Sequence, residues 1–381
     1  MLSPTFVGMI FLLFMNETAH DVKRYNKTKL VVSLVGGVIS FLLTIGLLAG
    51  GYTLLIEQFA GSISSNIYLT VIIFSAVFGI ISGIFSFPFS FYSGFILEHK
   101  YKLSNQTFVQ WLWENVKGML IAIPIFIPLA ITFYFFLLTF NLFWWLPVAI
   151  TLFIVSIGLS RIAPIVILPL FYKLTPLEDS PLKEKILALT KPTKMIVEGI
   201  YSFNLSKTTK KANAAFTGIG KSKRILLGDT LIDNFSESEI ETVFAHELGH
   251  YSHGHIWKGI VVGTVSIFLG LYLTSLAYSA SLSWFGFTSI SQIAALPLLT
   301  LWLSIYSLIT SPFGNILSRK HEFEADHYAV EKTKNKPAFI STMNKLAEMN
   351  LADRTPHPLV EFLFYSHPSI EKRIHAAEHI V

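Results

Sequence analysis

Long apolar segments without a charged residue alternate with polar segments along the chain. Seven apolar segments can be distinguished: residues 2–15, 30–56, 67–97, two within 118–160 and two within 259–318. All but the first approach or exceed the about 20 residues that a helix needs to cross a bilayer. The pattern predicts a mainly α, polytopic membrane protein of about seven transmembrane helices.

Two of the uncharged stretches are too long for a single span, so each must contain a turn. We predict a break near Phe140 and Asn141 in the first stretch, and the more polar residues 279–292 divide the second. The last two spans then form a helical hairpin. Such a hairpin returns the chain to the side of the membrane from which it left.

Basic residues fall into alternate connections between the spans. Lys and Arg follow segments one, three, five and seven, whereas the connections near residues 61, 141 and 283 contain neither. By the positive-inside rule, the basic connections lie in the cytoplasm. The N-terminus is then outside if segment 2–15 spans the bilayer. Alternatively, this short segment lies in the membrane interface.

Two of the cytoplasmic segments are long enough to fold. Within residues 173–258 we predict an amphipathic helix at 183–189, a strand at 195–201 and a β-hairpin formed by 213–217 and 224–227 around Gly-Ile-Gly at 218–220. The predicted organisation has four parts: membrane helices 1–5 (1–172), a first cytoplasmic part (173–258), membrane helices 6–7 (259–317) and a second cytoplasmic part (318–381).

The pattern His-Glu-x-x-His at residues 246–250 is the strongest chemical signal. On a helix, His246 and His250 project from one face one turn apart and can bind a single zinc ion. Glu247 follows the first histidine, where a carboxylate can accept a proton from water activated by the metal. A capping-box sequence at Ser236 predicts where this helix begins, and Gly254 can end it.

A catalytic zinc usually has three protein ligands. A metzincin would have its third histidine at the position of Ile256, so that class is excluded. His253 and His255 continue the same helix and fit better as outer or exposed residues. Glu322 and Asp326 are better candidates, because the predicted hairpin returns them to the zinc pair. They share a helix face, so one can bind zinc while the other accepts the free N–H of a ligand imidazole.

Composition excludes several other kinds of site. The 381-residue chain is 52% hydrophobic and 14% charged, and it contains no cysteine, so disulfides, thiolate metal sites and cysteine nucleophiles are absent. Its mean hydropathy of +0.57 fits an integral membrane protein. The net charge of +5 without a basic cluster argues against nucleic-acid binding. The oligomeric state is left open.

These motifs together resemble the type I CAAX prenyl protease family of membrane zinc endopeptidases, to which the bacterial heat-shock membrane protease is related. The resemblance rests on His-Glu-Leu-Gly-His at 246–250, a helical hairpin, and Ser-Arg-x-x-Glu-x-x-Ala-Asp at 318–326. Further similar segments are residues 90–98, 164–177, 206–231 and 366–368. The resemblance implies that seven helices enclose a chamber and that a zincin-like catalytic domain faces it from the cytoplasmic end.

The resemblance also implies a role for each site residue. One Zn²⁺ per chain is held by His246, His250 and Glu322, while Glu247 is the base. Asp326 bonds a ligand imidazole, and His367 and Arg373 line the site. The segment Asn213, Ala214 and Ala215 binds the substrate backbone. The implied partners are the lipid bilayer and a peptide or protein substrate, prenylated in the CAAX branch.

The residues themselves leave some of these roles open. Asn213 also fits a simple turn, His367 before a proline fits a helix start, and Arg373 fits a surface charge. Arg373 can bind a carboxylate, either the substrate's terminus or a neighbouring acidic residue.

The predicted activity is hydrolysis of peptide bonds, with prenylated CAAX peptides as substrates and membrane-protein quality control as the alternative. A zinc-regulated transporter or a scaffold is a different class of function. A transporter is expected to carry ionisable residues within its spans, and the apolar segments contain none. The implied location is the inner membrane of a bacterium or the endoplasmic reticulum membrane of a eukaryote.

Overall fold

The computed structural model describes residues 4–191, 197–217 and 223–380, with side chains for residues 20–191, 198–215 and 224–380. The predicted segments at 2–3, 195–196 and 218–220 lie outside these residues. The membrane part comprises the following helices: α1 (Pro4–Ala49), α2 (Tyr52–Ile63), α3 (Ile67–Phe91), α4 (Leu97–Lys100), α5 (Phe108–Phe140), α6 (Trp145–Ile162), α7 (Leu168–Phe171), α11 (His255–Ser281) and α12 (Leu296–Thr333).

The remaining elements form the polar part. They are β1 (Leu174–Pro176), α8 (Pro181–Thr190), β2 (Val197–Phe203), β3 (Ala214–Thr217), β4 (Lys223–Gly228), α9 (Asp229–Asn234), α10 (Glu237–Ser252), α13 (Lys336–Met349), α14 (Pro358–Phe364) and α15 (Ile370–Glu378).

Six helices of the described part of the chain are long and apolar enough to cross a membrane. Among themselves these six helices form a ring in which each contacts mainly its two neighbours, in the order α1, α3, α5, α6, α11, α12 and back to α1. None of their apolar stretches is more than 39% buried. A ring without extensive packing across its middle encloses a space, which is the chamber that the resemblance predicted.

One end of the ring is closed by a hydrophobic cluster with buried polar contacts. Tyr134 donates a hydrogen bond to the backbone oxygen of Ser291 (2.7 Å), and Tyr278 donates one to that of Ile290 (2.8 Å). Glu57 accepts bonds from the backbone N–H groups of Ile293 and Ala294. These contacts satisfy the polar groups of the connection between α11 and α12 inside an apolar cluster. The polar elements gather at the other end.

The predicted breaks between spans are confirmed. Asn141 has φ 47° between α5 and α6, and this positive φ marks the turn of the chain between the two helices. The polar residues between α11 and α12 form the turn of the predicted hairpin. Gly254 has φ +67° between α10 and α11, as the predicted end of the zinc-binding helix requires.

The N-terminal helix differs from the prediction. The break predicted between the first two apolar segments is absent, because α1 continues through the basic residues 23–29. Charged residues do not end a helix as glycine or proline does. Tertiary contacts also stabilise this stretch: Tyr25 is buried and donates a hydrogen bond to Glu98 (2.7 Å), and Asn26 donates one to the backbone oxygen of Leu351 (2.7 Å).

The predicted hairpin is confirmed as β3 and β4, which lie in a four-stranded sheet of order β1-β2-β4-β3. The parallel pairing of β2 with β4 and the short strand β1 were not predicted. Strand β3 is at the edge of the sheet and packs against α10. Within the described residues, the outer edge of β3 is therefore not paired with another strand, and it lies beside the helix that carries His246 and His250.

Glu239 fixes the start of α10 and joins it to α13. The carboxylate accepts bonds from the backbone N–H of Ser236 (2.7 Å), the hydroxyl of Ser341 (2.6 Å) and the ammonium of Lys345 (2.7 Å). Burial by itself raises the pKa of Glu239, but these bonds, led by that of Lys345, outweigh it and lower the pKa to about 2. The charged carboxylate therefore stabilises the fold.

We expect Glu239→Gln to lower the free energy of unfolding at pH 7 by on the order of 1–3 kcal/mol. Because the folded-state pKa is depressed, this contribution is present above about pH 4.5 and is lost as the pH falls toward 2. Thermal unfolding in detergent at several pH values measures it. A destabilisation that is as large at pH 3 as at pH 7 would contradict the charged role of Glu239.

Candidate active site

Helix α10 brings the two histidines of the motif together. The Nε2 atoms of His246 and His250 lie 3.2 Å apart and face the same space. His246 is 9% exposed, while His250 is more accessible. The capping box at Ser236 and the left-handed Gly254 delimit this helix as predicted. The i, i+4 spacing thus gives the geometry expected of two ligands to one metal.

Helix α12 adds the carboxylate of Glu322. Its Oε1 lies 3.2 Å from Nε2 of His250, and its Oε2 lies 3.5 Å from Nε2 of His246. Potential ligand atoms of the three residues all lie within 4.8 Å of one another. The returning hairpin therefore does what the sequence predicted: it places Glu322 against the histidine pair.

Gly249 allows the close approach of α10 and α12. A Cβ atom on Gly249 would lie 2.9 Å from Cα and 3.1 Å from the carbonyl oxygen of Ala325, both backbone atoms. Ala245 and Ala325 are completely buried. Small residues therefore line both sides of the crossing. They let the backbones approach closely enough for Glu322 to reach the imidazoles.

The polar atoms that face this space fit a metal cation. Glu322 is 5% exposed, and its Oε2 is buried without a hydrogen-bond partner among the described residues. Burying a carboxylate oxygen that accepts no hydrogen bond is costly. Two imidazole nitrogens that face each other and a carboxylate are a ligand set typical of catalytic zinc sites.

Asp326 orients the imidazole of His246 from behind. Because a carboxylate only accepts, the Nδ1 of His246 donates to Oδ1 of Asp326 (2.9 Å), which leaves Nε2 with a free lone pair. Burial by itself lowers the pKa of His246, but the bond with Asp326 outweighs it and raises the pKa. The predicted pairing of Asp326 with a ligand imidazole is thus present in the geometry.

Arg373 contacts both buried carboxylates. Its Nε donates to Oδ2 of Asp326 (2.8 Å) and its Nη2 to Oδ1 (2.6 Å), while its Nη1 lies 3.4 Å from Oε2 of Glu322. Burial by itself lowers the pKa of Arg373, but Asp326 raises it above its ordinary value. Its carboxylate partners are therefore acidic residues of the site, one of the two alternatives that the sequence left open.

The remaining predicted residues belong to three different segments of the chain. Glu247 is half-buried and directly follows His246. The Nε2 of His367 lies 3.5 Å from Oε1 of Glu322, and the His367 side chain is 63% exposed. Asn213 precedes edge strand β3, which begins at Ala214.

The contacts of two residues, His255 and Arg319, were missed from the sequence. The Nδ1 of His255 lies 2.9 Å from that of His250, and its Nε2 lies 2.8 Å from a carboxylate oxygen of Glu324. Arg319 donates to the backbone oxygens of Glu361 (2.9 Å) and Tyr365 (2.6 Å). The position of Arg319 where α12 leaves the membrane was the available signal. This contact ties the segment before His367 to α12.

Comparisons with known proteins agree with this geometry. Residues 12–173 match a family described as CAAX prenyl protease N-terminal, five membrane helices, and residues 176–381 match peptidase family M48. The crystal structure of Ste24p from S. mikatae is similar, with a TM-score of 0.85 and 28% identity, covering 95% of this chain and 89% of that one.

Two relatives show the same similarity in sequence. The uncharacterized metalloprotease YhfN of Bacillus subtilis is 34% identical over 289 residues, covering 75% of this chain and 68% of that protein. CAAX prenyl protease 1 of Saccharomyces cerevisiae is 31% identical over 313 residues, covering 76% and 68%. This chain belongs to peptidase family M48 and is a multi-pass membrane metalloprotease with a fold like that of Ste24p.

Proposed function

We propose that this chain is a zinc endopeptidase that removes the C-terminal tripeptide from prenylated CAAX peptides. The observation that carries the proposal is the meeting of His246, His250 and Glu322, with one buried oxygen of Glu322 that accepts no hydrogen bond within the described part of the chain. These residues would hold one zinc ion. A zinc ion at such a site supplies Lewis acidity that polarises a peptide carbonyl and activates water.

The side chains around the metal ligands have separate roles: proton transfer, stabilisation of the oxyanion, and positioning of the ligands. Glu247 accepts the proton of the attacking water and returns it to the leaving amine. His367 is accessible and close to Glu322, so its ring N–H can donate a hydrogen bond to the developing oxyanion. Asp326 and Arg373 position the ligands: Asp326 orients His246, and Arg373 holds Asp326 and Glu322 in place.

The substrate backbone binds to edge strand β3, through Asn213, Ala214 and Ala215. An extended peptide can add to a free strand edge through main-chain hydrogen bonds, so binding tolerates many side chains. β3 packs against α10. This mode places the backbone of the bound peptide beside the histidine pair.

The catalytic parts, residues 173–258 and 318–381, lie on the cytoplasmic side, and residues 1–172 and 259–317 form the membrane parts. This orientation follows from the basic connections and the positive-inside rule. Accessibility of single cysteines, introduced into this cysteine-free chain at residues 61 and 183, to a membrane-impermeant thiol reagent tests it. Labelling of both cysteines from the same side of the membrane would contradict this orientation.

We expect Asp326→Asn to weaken zinc binding about 10–100-fold. Loss of a carboxylate that orients a ligand imidazole has an effect of this size in other zinc sites. Competition with a chelator of known affinity measures it. Asp353→Asn is the matched control, because Asp353 lies in the loop between α13 and α14 and bonds only locally to Thr355 among the described residues. Equal zinc affinity of Asp326→Asn and wild type would exclude the positioning role.

The substrate class is tested with two substrates. Purified protein is incubated with an S-farnesylated CAAX peptide and, separately, with an unmodified membrane protein. Release of the C-terminal tripeptide, abolished in Glu247→Gln, supports the CAAX activity. Degradation of the membrane protein without tripeptide release would instead indicate quality control of unmodified proteins. The Bacillus subtilis relative, described only as an uncharacterized metalloprotease, makes this test necessary.

A further inference from the structure

A second cavity lies at the start of the edge strand, and none of the three metal-ligand candidates lines it. Its volume is about 880 Å³, within the range of ligand pockets in proteins. Two lysines, Lys29 and Lys211, line it together with Asn213, Asn350 and Tyr365. We call this cavity the dilysine pocket.

Among the described residues that line the dilysine pocket, two are cations and none is an anion. The ammonium groups of Lys29 and Lys211 each lie 2.8 Å from a different carboxylate oxygen of Glu98. Each also donates to the hydroxyl of Tyr25 at 3.1 Å. One carboxylate thus neutralises only one of the two cations. Because an ammonium has three N–H donors, each lysine also retains a donor beyond these two contacts.

The three charged residues come from distant parts of the chain. Lys29 lies on α1, Glu98 on α4 and Lys211 on the segment that leads into β3. Glu98 is 12% exposed at its side chain, while Lys29 and Lys211 are 45% and 27% exposed. The carboxylate is therefore enclosed, and the ammonium groups are the accessible part of the cluster.

The position of the pocket relates it to the bound peptide. Asn213, directly before β3, lines it. A peptide that pairs antiparallel with β3 runs its C-terminal end toward this first residue. Tyr365 also lines the pocket, and it lies two residues before His367, which reaches Glu322. Three extended residues span about 10 Å, so a C-terminal tripeptide can extend from the metal site toward this end of the strand.

We propose that the dilysine pocket binds the C-terminal carboxylate of the peptide substrate. The inference rests on the proposed function, to which it adds a recognition site for the free end of the leaving tripeptide. Arg373 is not available for this role, because Asp326 and Glu322 occupy its guanidinium inside the fold. The excess positive charge also favours the antiparallel direction of binding, since it attracts the C-terminus and repels an N-terminal amine.

Binding to the Glu247→Gln protein tests this proposal, so its result does not depend on peptide cleavage. The probes are two S-farnesylated, fluorescein-labelled peptides of one sequence, one with a free C-terminal carboxylate and one with a C-terminal amide. We expect the carboxylate form to bind about tenfold more tightly. The addition of Lys211→Gln should remove this preference, and Lys211→Arg should keep it.

A variant with the opposite expected effect distinguishes recognition of the carboxylate from a structural role of the two lysines. Glu98→Gln leaves both lysines uncompensated and should increase the preference for the carboxylate peptide, whereas a merely structural role predicts no such gain.

Lys210→Gln is the matched control, because Lys210 is exposed beside Lys211 and does not line the pocket. Equal binding of the two peptides, or an equal loss of both in Lys211→Gln, would overturn the proposal. The assay measures binding and not cleavage. A preference for the carboxylate peptide would therefore support the dilysine pocket even if the protein proved not to be a peptidase, and the absence of a preference would contradict it.

Discussion

Glu247→Gln is expected to lower kcat for peptide cleavage by at least about a hundredfold while leaving the zinc content unchanged. Glutamine has nearly the same shape, but its amide cannot accept a proton from water at neutral pH. Glu247 is not one of the three clustered residues that would bind the metal, so the site itself should persist. Cleavage of a fluorogenic peptide and metal analysis of the same preparation measure both properties.

The control for this variant is Glu241→Gln, which removes a carboxylate from the same helix away from the metal ligands. It should retain both activity and zinc. Normal turnover by Glu247→Gln would show that another group accepts the proton. A parallel loss of zinc would show that Glu247 supports the metal site and is not simply its base.

Gly249→Ala is expected to disrupt the metal site from outside the ligand set. The added Cβ would lie 2.9 Å from the backbone of Ala325, which cannot turn aside as a flexible side chain can. Helices α10 and α12 must then separate, and Glu322 moves away from His246 and His250. We expect zinc affinity to fall at least about a hundredfold and the free energy of unfolding to fall by about 1–3 kcal/mol.

Gly314→Ala is the matched control, because Gly314 also lies on α12 and a Cβ there meets no atom within 4 Å. It should bind zinc normally and be at least as stable as the wild type, since alanine favours helix more than glycine does. If Gly249→Ala bound zinc as tightly as the wild type, close contact between the two helices would not be what positions Glu322.

The features that could be predicted from the sequence are those that depend on local patterns of residues. Uncharged apolar length gave the spans and the hairpin of α11 and α12. The i, i+4 spacing placed His246 and His250 on one face, and the capping box gave the start of their helix. Glu322 could be assigned because the hairpin has to return the chain to the same side. That inference required only the order and direction of the membrane spans, and no distances between atoms.

The features that were missed depend on contacts between distant segments. The charged stretch of α1 was predicted as a connection, but the bonds of Tyr25 and Lys29 with Glu98 hold it as helix. Strand β1 has three residues, too few for a periodic pattern. The parallel pairing of β2 with β4 likewise has no local signal.

In the candidate site, too, the features that were missed depend on contacts that the sequence does not show. Gly249 lies inside the metal-binding motif, yet only the approach of Ala325 explains why a glycine stands there. His255 was left as an outer or exposed residue, and its contact with His250 depends on the tight turn at Gly254. The alternatives for Arg373 were separated only when its bonds to Asp326 were known.

Anomalous diffraction at the zinc absorption edge, from crystals of the purified wild-type protein, tests the central claim most directly. The account predicts one strong peak per chain, about 2.0–2.1 Å from the Nε2 atoms of His246 and His250 and about 2.0–2.2 Å from a carboxylate oxygen of Glu322. A zinc peak elsewhere, or one bound by the two histidines with Glu322 turned away, would contradict it.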